Sequence, residues 1–274
     1  MITIVVPLDG SPFAERAIRP ACALAARLDA ARIVLLTCEP DDADEAKRRL
    51  DELAGLHSSG VEIETRVVGI GQPGDVILET VSTEPEAILC MATRGRGGLG
   101  AALLGSVALG VVRKSTRPLI LVGPRCGTAL LPSERGRLLV CSDGSEFSNS
   151  ILPIADTWSE LLDLRPWLTE VVGPDENPEP SYRPVPNREI EAAKQRLGVL
   201  STRFVSSTDE PGIEVLHGTP GHSIAEFAER LPAALIAIAS HGRTGLTRLT
   251  MGSVATEIVR HAPCPVLISR PSDN

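Results

Sequence analysis

The chain has 274 residues, of which 43% are hydrophobic and 3% aromatic, and its formal net charge is −8. This length allows one or two domains, and the acidic balance argues against a nucleic-acid binder, which usually carries a basic surface. The first residues lack the pattern of a signal peptide, and no run approaches the roughly 18 apolar residues of a membrane span. We expect a cytoplasmic protein that does not bind nucleic acid and does not insert into a membrane. The six cysteines form no CxxC pair, so we expect neither a zinc site nor a disulfide framework.

The first predicted elements alternate between strand and helix. Residues 2–8 are apolar and rich in β-branched side chains, which is typical of a strand buried on both faces. Ser11 and Pro12 predict the start of a helix that continues to residue 30, with a kink expected at Pro20. Further elements are predicted as strands over 32–38, 61–68, 87–92 and 118–122, as helices over 41–60 and 75–83 (the second capped by Asp75), and as a helix that opens at Gly105. This order implies a parallel sheet with helices on both faces.

The second half of the chain repeats the first. Segments 88–122 and 235–269 each contain an apolar strand, a glycine-rich loop, a helix that opens at Gly-Ser-Val and a second apolar strand. Gly105 and Gly252 lie 147 positions apart, and other matched glycines keep that spacing. The repeat predicts an α/β protein of two tandem doubly wound domains, each with a five-stranded parallel sheet.

The predicted domains cover residues 1–124 and 136–271, joined by a linker rich in Gly, Pro and Ser. Asp9 and Asp143, which follow the first strand of each copy, lie 134 positions apart. The second copy therefore holds about 13 extra residues after its aspartate. Five prolines within 173–187 predict an exposed irregular loop in that insertion.

In open parallel sheets, ligands bind outside the carboxyl ends of the strands, where the strand order reverses. Each copy brings two loops to that edge: the loop that carries Asp9 or Asp143, and the glycine-rich loop. The glycine-rich loop leads into a helix, whose first amides and partial positive charge suit a phosphate group. We place the aspartates away from the phosphates, where they would accept hydrogen bonds from ribose hydroxyls or a base edge.

The residues at each helix start suit a phosphate site. Gly105 and Gly252 allow an anion to approach closely, and Ser106 and Ser253 can cap the helix or donate a hydroxyl to a phosphate oxygen. Each feature also has an ordinary structural explanation, since glycine-rich loops form turns, serine caps helices and Asp-Gly-Ser forms turns after strands. Their joint recurrence in two diverged copies favours a ligand site.

These residues resemble the universal stress protein family, whose nucleotide-binding pattern is G-x2-G-x9-G-[S/T]. The matching positions are Gly95 and Gly105-Ser106 in the first copy, and Gly242 and Gly252-Ser253 in the second. The segments VPLDGS and RHAPCPVLIS are also similar to the family. The resemblance covers almost the whole chain and implies a tandem member with a Rossmann-like fold of the adenine nucleotide alpha hydrolase-like type.

The resemblance further implies that each copy binds ATP, with or without Mg²⁺. Asp9 and Asp143 would contact the adenosine part, and Cys38 and Val171 would offer main-chain contacts to adenine. The phosphates would lie against the end of the pattern, which comprises Gly95, Gly105, Ser106 and Val107, and Gly242, Gly252, Ser253 and Val254. Single-domain members of the family pair through the last strand, which implies an intramolecular pseudo-dimer and leaves a homodimer open.

The chain departs from the family pattern at its first glycine, which is Ala92 in one copy and Ala239 in the other. Alanine adds a methyl group and does not readily adopt a positive φ, so we expect weaker ATP binding. The proline-rich insertion also lies close to the expected base pocket of the second copy. The first copy is therefore the better candidate if only one binds.

Three functions are compatible with these residues. The first is a regulatory stress-response protein that holds ATP without rapid turnover, because the loop lacks the Gly-Lys-Ser/Thr of a P-loop. The second is a slow ATP hydrolase or nucleotidyl transferase in the same pocket. The third is a nucleotide-free interaction protein, which the two alanines favour. We prefer the first and assign no catalytic residue and no metal ligand.

Overall fold

The computed structural model describes residues 1–39, 42–57, 60–94, 104–127, 136–173, 186–207, 209–240 and 251–270. The chain divides into two compact units, Met1–Pro124 and, apart from a few residues between them, Pro132–Asn274. No helix within the described ranges is long and apolar enough to cross a bilayer.

The first unit is a parallel sheet connected by helices. Its strands are β1 (Ile2–Pro7), β2 (Ala31–Cys38), β3 (Glu62–Val68), β4 (Ala87–Ala92) and β5 (Leu119–Val122). Its helices are α1 (Pro12–Glu15), α2 (Ile18–Ala25), α3 (Ala43–His57), α4 (Pro73–Thr83) and α5 (Ser106–Lys114). The strand order is β3-β2-β1-β4-β5, with every neighbouring pair parallel. Right-handed crossovers in this order place helices on both faces of the sheet.

The second unit repeats this plan. Its strands are β6 (Arg137–Cys141), β7 (Arg165–Val172), β8 (Gly212–His217), β9 (Ala233–Ala239) and β10 (Val266–Ser269). Its helices are α6 (Glu146–Asn149), α7 (Leu152–Leu161), α8 (Asn187–Ser201), α9 (Pro220–Arg230) and α10 (Ser253–His261). The strand order is β10-β9-β6-β7-β8, again parallel throughout. The predicted fold class, two doubly wound α/β domains in tandem, is confirmed.

Two local predictions are wrong. The first long helix is broken into α1 and α2 at Arg16 and Ala17 rather than kinked at Pro20. Pro20 lies in the first turn of α2, where its missing N–H removes no hydrogen bond. Asp75 does not cap α4, which has Gln72 as its N-cap. Its carboxylate instead accepts a hydrogen bond from Lys114 at 2.7 Å. Most of the predicted linker and of the proline-rich loop lies outside the described residues.

A charged network lies near the amino ends of the strands in the first unit. Arg32 bonds Glu64 at 2.8 Å and Glu84 at 2.9 Å, and Arg66 bonds the same two carboxylates at 2.7 and 3.3 Å. Burial alone would raise the pKa of Glu84, but the hydrogen bonds and charges of Arg32 and Arg66 outweigh it, and the pKa of Glu84 is lowered. The network therefore favours the charged form of Glu84 in the folded state.

This shift predicts how acid acts on the first unit. A carboxyl group whose pKa is lower when folded contributes stability above its unfolded pKa, and that stability is lost as the pH falls through the folded value. We expect the stability lost below about pH 4.5 to be smaller in Glu84→Gln than in the parent chain. Urea midpoints at pH 6 and pH 3.5 would measure this, with exposed Glu62→Gln as the control. Equal acid sensitivity of Glu84→Gln and the parent chain would contradict the prediction.

Trp167 in β7 packs across the neighbouring strand at Gly212. A Cβ atom at Gly212 would overlap the indole ring, whereas one at Gly198 of α8 would meet nothing within 4 Å. We expect Gly212→Ala to lower the free energy of unfolding by about 1–3 kcal/mol through overpacking. Gly198→Ala, the matched control, should raise it by about 0.5–1 kcal/mol. Urea unfolding followed by tryptophan fluorescence would measure both, and a Gly212→Ala chain as stable as the parent would contradict the first.

Candidate functional site

The strands that lead into the predicted ligand-binding loops are neighbours in each sheet. In the first unit β1 and β4 are neighbours, and their register pairs Val5 with Leu89. Asp9 and Thr93, each four residues further along its strand direction, therefore lie side by side just beyond the sheet. In the second unit Val140 pairs with Ala237, which places Asp143 level with Ser240. In both units these two strand ends lie where the strand order reverses, the usual ligand position in this architecture.

Asp9 orders the turn that follows β1. Its Oδ1 accepts hydrogen bonds from the Ser11 backbone N–H at 3.0 Å and from the Ser11 hydroxyl at 2.7 Å. Ser11 in turn caps α1 by accepting from the Ala14 N–H at 3.2 Å. Gly10 has a φ of 77°, a conformation that glycine adopts without strain. One oxygen of Asp9 thus stabilises the turn.

The corresponding turn of the second unit has the same design. Asp143 Oδ1 accepts from the Ser145 N–H at 2.9 Å, and Ser145 caps α6 by accepting from the Ser148 N–H at 3.1 Å. This turn is more polar than the first, because Ser142 replaces Leu8. The Ser142 hydroxyl accepts from the Gly144 N–H at 3.0 Å and donates to Asn149 at 2.8 Å.

The two Gly-Ser-Val helices start directly at the exit of the fourth strand of each unit. The Gly105 N–H donates to the Thr93 carbonyl at 2.8 Å, and the Gly252 N–H donates to the Ser240 carbonyl at 2.9 Å. These carbonyl anchors were not predicted, although Thr93 and Ser240 share the 147-residue spacing of the repeat. They fix the start of each helix at the edge where Asp9 and Asp143 lie.

The first turn of each helix presents amides and hydroxyls. Gly105 and Gly252 are the N-caps, and neither helix has a side-chain hydrogen bond at its cap. Ser106 and Ser253 are therefore not caps, and both are exposed. Val107 and Val254, which follow the serines, are each 36% exposed. The hydroxyls are free of a capping role and can serve a ligand.

In both helices the first backbone N–H groups lie before the first hydrogen bond within the helix. That bond runs from the Leu109 N–H to the Gly105 carbonyl at 2.9 Å, and the second helix repeats it from Thr256 to Gly252 at the same distance. The preceding N–H groups have no partner inside the helix and concentrate positive potential there. Gly105 and Gly252 have φ angles of −63° and −58°, which any residue can adopt. Their lack of a side chain matters for the approach of a ligand rather than for the backbone.

The remaining predicted residues lie close to the same edge. Ala92 and Ala239 end β4 and β9, are buried, and have no positive φ, so the fold accommodates alanine there without strain. Cys38 ends β2, and its thiol donates to the Gly71 carbonyl at 3.4 Å. Burial, and secondarily the charge of Glu39, raises the pKa of the Cys38 thiol, which disfavours the nucleophilic thiolate. Val171 is a half-buried residue near the end of β7.

Two predicted residues, Gly95 and Gly242, lie outside the described residues.

Beside the start of α5, a shallow hollow opens between α1 and the ends of β4 and β5. Phe13, Arg16 and Arg94 are among its lining residues, and Phe13 is 45% exposed. Within the described ranges, no three His, Cys, Asp or Glu residues come together as a metal-binding group.

These features define a tandem α/β protein with a candidate site at the carboxyl edge of each sheet, where a helix starts. The model of the universal stress protein family matches residues 1–123 and 134–270. The chain therefore belongs to the universal stress protein family and carries two copies of its domain.

Individual relatives share about 30% of their residues with this chain over the aligned segments. Universal stress protein Rv1996 of Mycobacterium tuberculosis is 29% identical over 194 residues, which make up 67% of this chain and 59% of that protein. Rv2005c of the same organism is 30% identical over 200 residues, covering 70% and 64%. The chain thus spans less than two thirds of the length of these relatives. A universal stress protein from Archaeoglobus fulgidus has the same fold over 98% of both chains, with 17% identity and a TM-score of 0.64.

Proposed function

We propose that the chain is a stress-response regulator that holds an adenine nucleotide, ATP, in one or both units without rapid turnover. The observation that carries the proposal is the recurrence of one arrangement in both units. A turn ordered by Asp9 or Asp143 lies at the same edge as a helix start whose first amides have no partner within the helix and whose serine is exposed. One backbone bond holds each helix start in place, at 2.8 Å in the first unit and 2.9 Å in the second.

The chemistry of the two sides of this edge differs in a way that suits a nucleotide. The helix start offers N–H and hydroxyl donors in a positive potential, which suits a polyphosphate. The aspartate turn offers carboxylate oxygens, which suit ribose hydroxyls or the donor edge of a base. The residues present therefore fit ATP, and any Mg²⁺ would be held mainly by the phosphates.

Several features support retention of the nucleotide rather than its rapid hydrolysis. The sequence has no Gly-Lys-Ser/Thr to clamp a terminal phosphate. One oxygen of Asp9 already accepts two hydrogen bonds from Ser11, so that oxygen is engaged in the turn. Burial also raises the pKa of the nearby Cys38 thiol, so the nucleophilic thiolate is disfavoured there.

Equilibrium titration of the full chain with ATP, with and without Mg²⁺, tests the proposal. We expect saturable binding of one or two nucleotides per chain and weaker binding of inorganic phosphate alone. No saturable binding at millimolar ATP would overturn it. Mass spectrometry of the freshly purified chain would add a direct test, because a retained nucleotide excludes the nucleotide-free alternative.

Phosphate release from Mg·ATP distinguishes the regulator from a slow hydrolase. We expect no release above a protein-free blank. Release that disappears in a Ser106→Ala, Ser253→Ala double variant would instead assign hydrolysis to these sites. Release that persists in the double variant would indicate a contaminating enzyme.

A further inference from the structure

Two arginines face each other at the amino edge of the second sheet, opposite the edge just described. Arg137 begins β6 and pairs in register with Arg165, which begins β7. Like charges directly opposite on neighbouring strands destabilise a sheet. Trp167 lies two residues beyond Arg165 on the same strand, and hence on the same face. We call Arg137, Arg165 and Trp167 the arginine–indole cluster.

The three side chains form one compact group. The guanidinium carbon of Arg137 lies 5.4 Å from the centre of the Trp167 ring, and that of Arg165 lies 6.0 Å from it. Both cations thus lie within cation–π distance of one indole. The ring itself lies over Gly212, whose lack of a side chain makes room for it.

Three buried donors of this cluster lack acceptors among the described residues. Arg137 Nε, Arg165 Nε and Trp167 Nε1 are buried, and none has a hydrogen-bond partner among the described residues. The side chain of Arg165 makes one long bond, from its terminal nitrogen to the Glu210 carbonyl at 3.4 Å. Neither arginine forms an ion pair within the described ranges. Buried donors are almost always satisfied, so three in one group call for an explanation.

In the first unit, the arginine at the equivalent strand position has acceptors for its guanidinium group. There, register pairs Thr3 with Arg32, just as it pairs Arg137 with Arg165. The guanidinium of Arg32 donates to Thr3, Glu64 and Glu84 at 3.2, 2.8 and 2.9 Å. All three of these acceptors have changed in the second unit.

The register of the strands and the repeat spacing identify each replacement. Glu64 pairs with Val34, and the equivalent pair in the second unit is Gly212 with Trp167. Glu84 corresponds to Leu231 at the repeat spacing of 147 positions. The second copy has thus lost both carboxylates and gained a second arginine. A position neutralised within the first unit carries two arginines in the second, and neither forms an ion pair within the described ranges.

We propose that the arginine–indole cluster binds a small oxyanion, either a phosphate group or a carboxylate, at a site distinct from the nucleotide edge. Every unsatisfied atom of the cluster is a donor, so the ligand must be an acceptor. Two guanidiniums within 6.0 Å of one indole ring favour an anion with at least two oxygens, since guanidinium groups recognise phosphate and carboxylate in a bidentate manner. Such an anion would relieve the repulsion between Arg137 and Arg165.

Nitrogen-15 NMR of the full chain tests this site directly, because the chain has two tryptophans and Trp167→Phe assigns its indole signal. The chain is titrated with inorganic phosphate, with acetate, and with chloride at matched ionic strength. We expect a saturable shift of the Trp167 signal with phosphate or acetate and none with chloride. Whichever anion saturates the signal identifies the class of ligand, and no saturable shift with either would overturn the proposal.

Variants separate this site from other causes. Arg137→Gln and Arg165→Gln should each weaken binding at least about tenfold, the loss expected for a charge-assisted hydrogen bond. Arg188→Gln, an exposed arginine at the start of α8, should leave the affinity unchanged. Ser253→Asp, which alters the nucleotide edge, should also leave the Trp167 response intact. Equal affinity in the parent and both cluster variants, or loss of the response in Ser253→Asp, would overturn the proposal.

Thermal unfolding gives a second readout that does not depend on the indole signal. A ligand that binds only the folded chain raises its melting temperature. We expect the stabilising anion to raise the melting temperature of the parent chain and of Arg188→Gln, and to have little effect on Arg137→Gln or Arg165→Gln. Arg165→Lys keeps the positive charge but loses the planar guanidinium group, so the anion should raise its melting temperature only slightly. The same rise in all four variants would contradict a site at this cluster.

Discussion

Replacing Ser106 and Ser253 together by aspartate is expected to weaken ATP binding about 100-fold, or about 3 kcal/mol. Each aspartate removes an exposed hydroxyl and adds a negative charge at the first residue of the helix. Two unit charges 4 Å apart interact by about 4 kcal/mol at the effective dielectric of a protein surface, so repulsion of the phosphates alone accounts for the loss. The fold should survive, because a carboxylate in the first turn stabilises a helix by about 0.3–1 kcal/mol.

Calorimetric titration with ATP would measure this effect and assign it to a unit. The single variants should each remove one class of site, so the surviving stoichiometry shows which unit binds. Thr116→Asp is the matched control, since it adds the same charge just beyond the other end of α5, roughly 15 Å away. An affinity of the double variant within threefold of the parent would show that the phosphates do not lie at the helix starts.

The second large effect concerns the ion pair between Glu170 and Arg196. Glu170 lies in β7 with 2% of its side chain exposed, and Arg196 of α8 bonds both of its oxygens, at 2.5 and 3.2 Å. Arg196→Met would leave a carboxylate buried without its partner. We expect a loss of about 3 kcal/mol, at the lower end of the range for a broken buried pair, because Arg196 is 43% exposed and water can replace part of its contact.

Urea unfolding followed by circular dichroism would measure the loss. Lys194→Met is the control, because Lys194 bonds Glu191 at the surface and such pairs contribute about 0–1 kcal/mol. The double variant Glu170→Leu, Arg196→Met should recover most of the stability, since an apolar pair replaces the buried charge. A single variant as stable as Lys194→Met would show that the buried carboxylate finds another partner.

The repeat and the apolar strands made most of the fold predictable. Runs such as Ile33 to Leu36 are apolar without alternation, and they form central strands buried on both faces. The matched spacing of the two Gly-Ser-Val segments predicted the same helix start twice. These features depend on local composition and on comparison of the chain with itself, so they could be recognised without coordinates.

Details that depend on partners distant in the chain were not predictable. Asp75 looked like a helix cap from its neighbours, but its partner is Lys114 on another helix. The break between α1 and α2 falls at Arg16 and Ala17, ahead of Pro20, which lies within α2. Likewise, nothing local indicates that the Thr93 carbonyl anchors Gly105, because the two residues are joined only when β4 and α5 are in place.

The sequence by itself determined the class of fold, the duplication and the loops that carry the candidate site. Only the tertiary structure decided that the two serines are exposed hydroxyls rather than caps, and that two arginines at one sheet edge form no ion pair among the residues that the structure describes. The reason is physical. Strand character and helix starts follow from residues near in sequence, whereas the balance of charge at Arg32 or Arg165 depends on which strands become neighbours in the sheet.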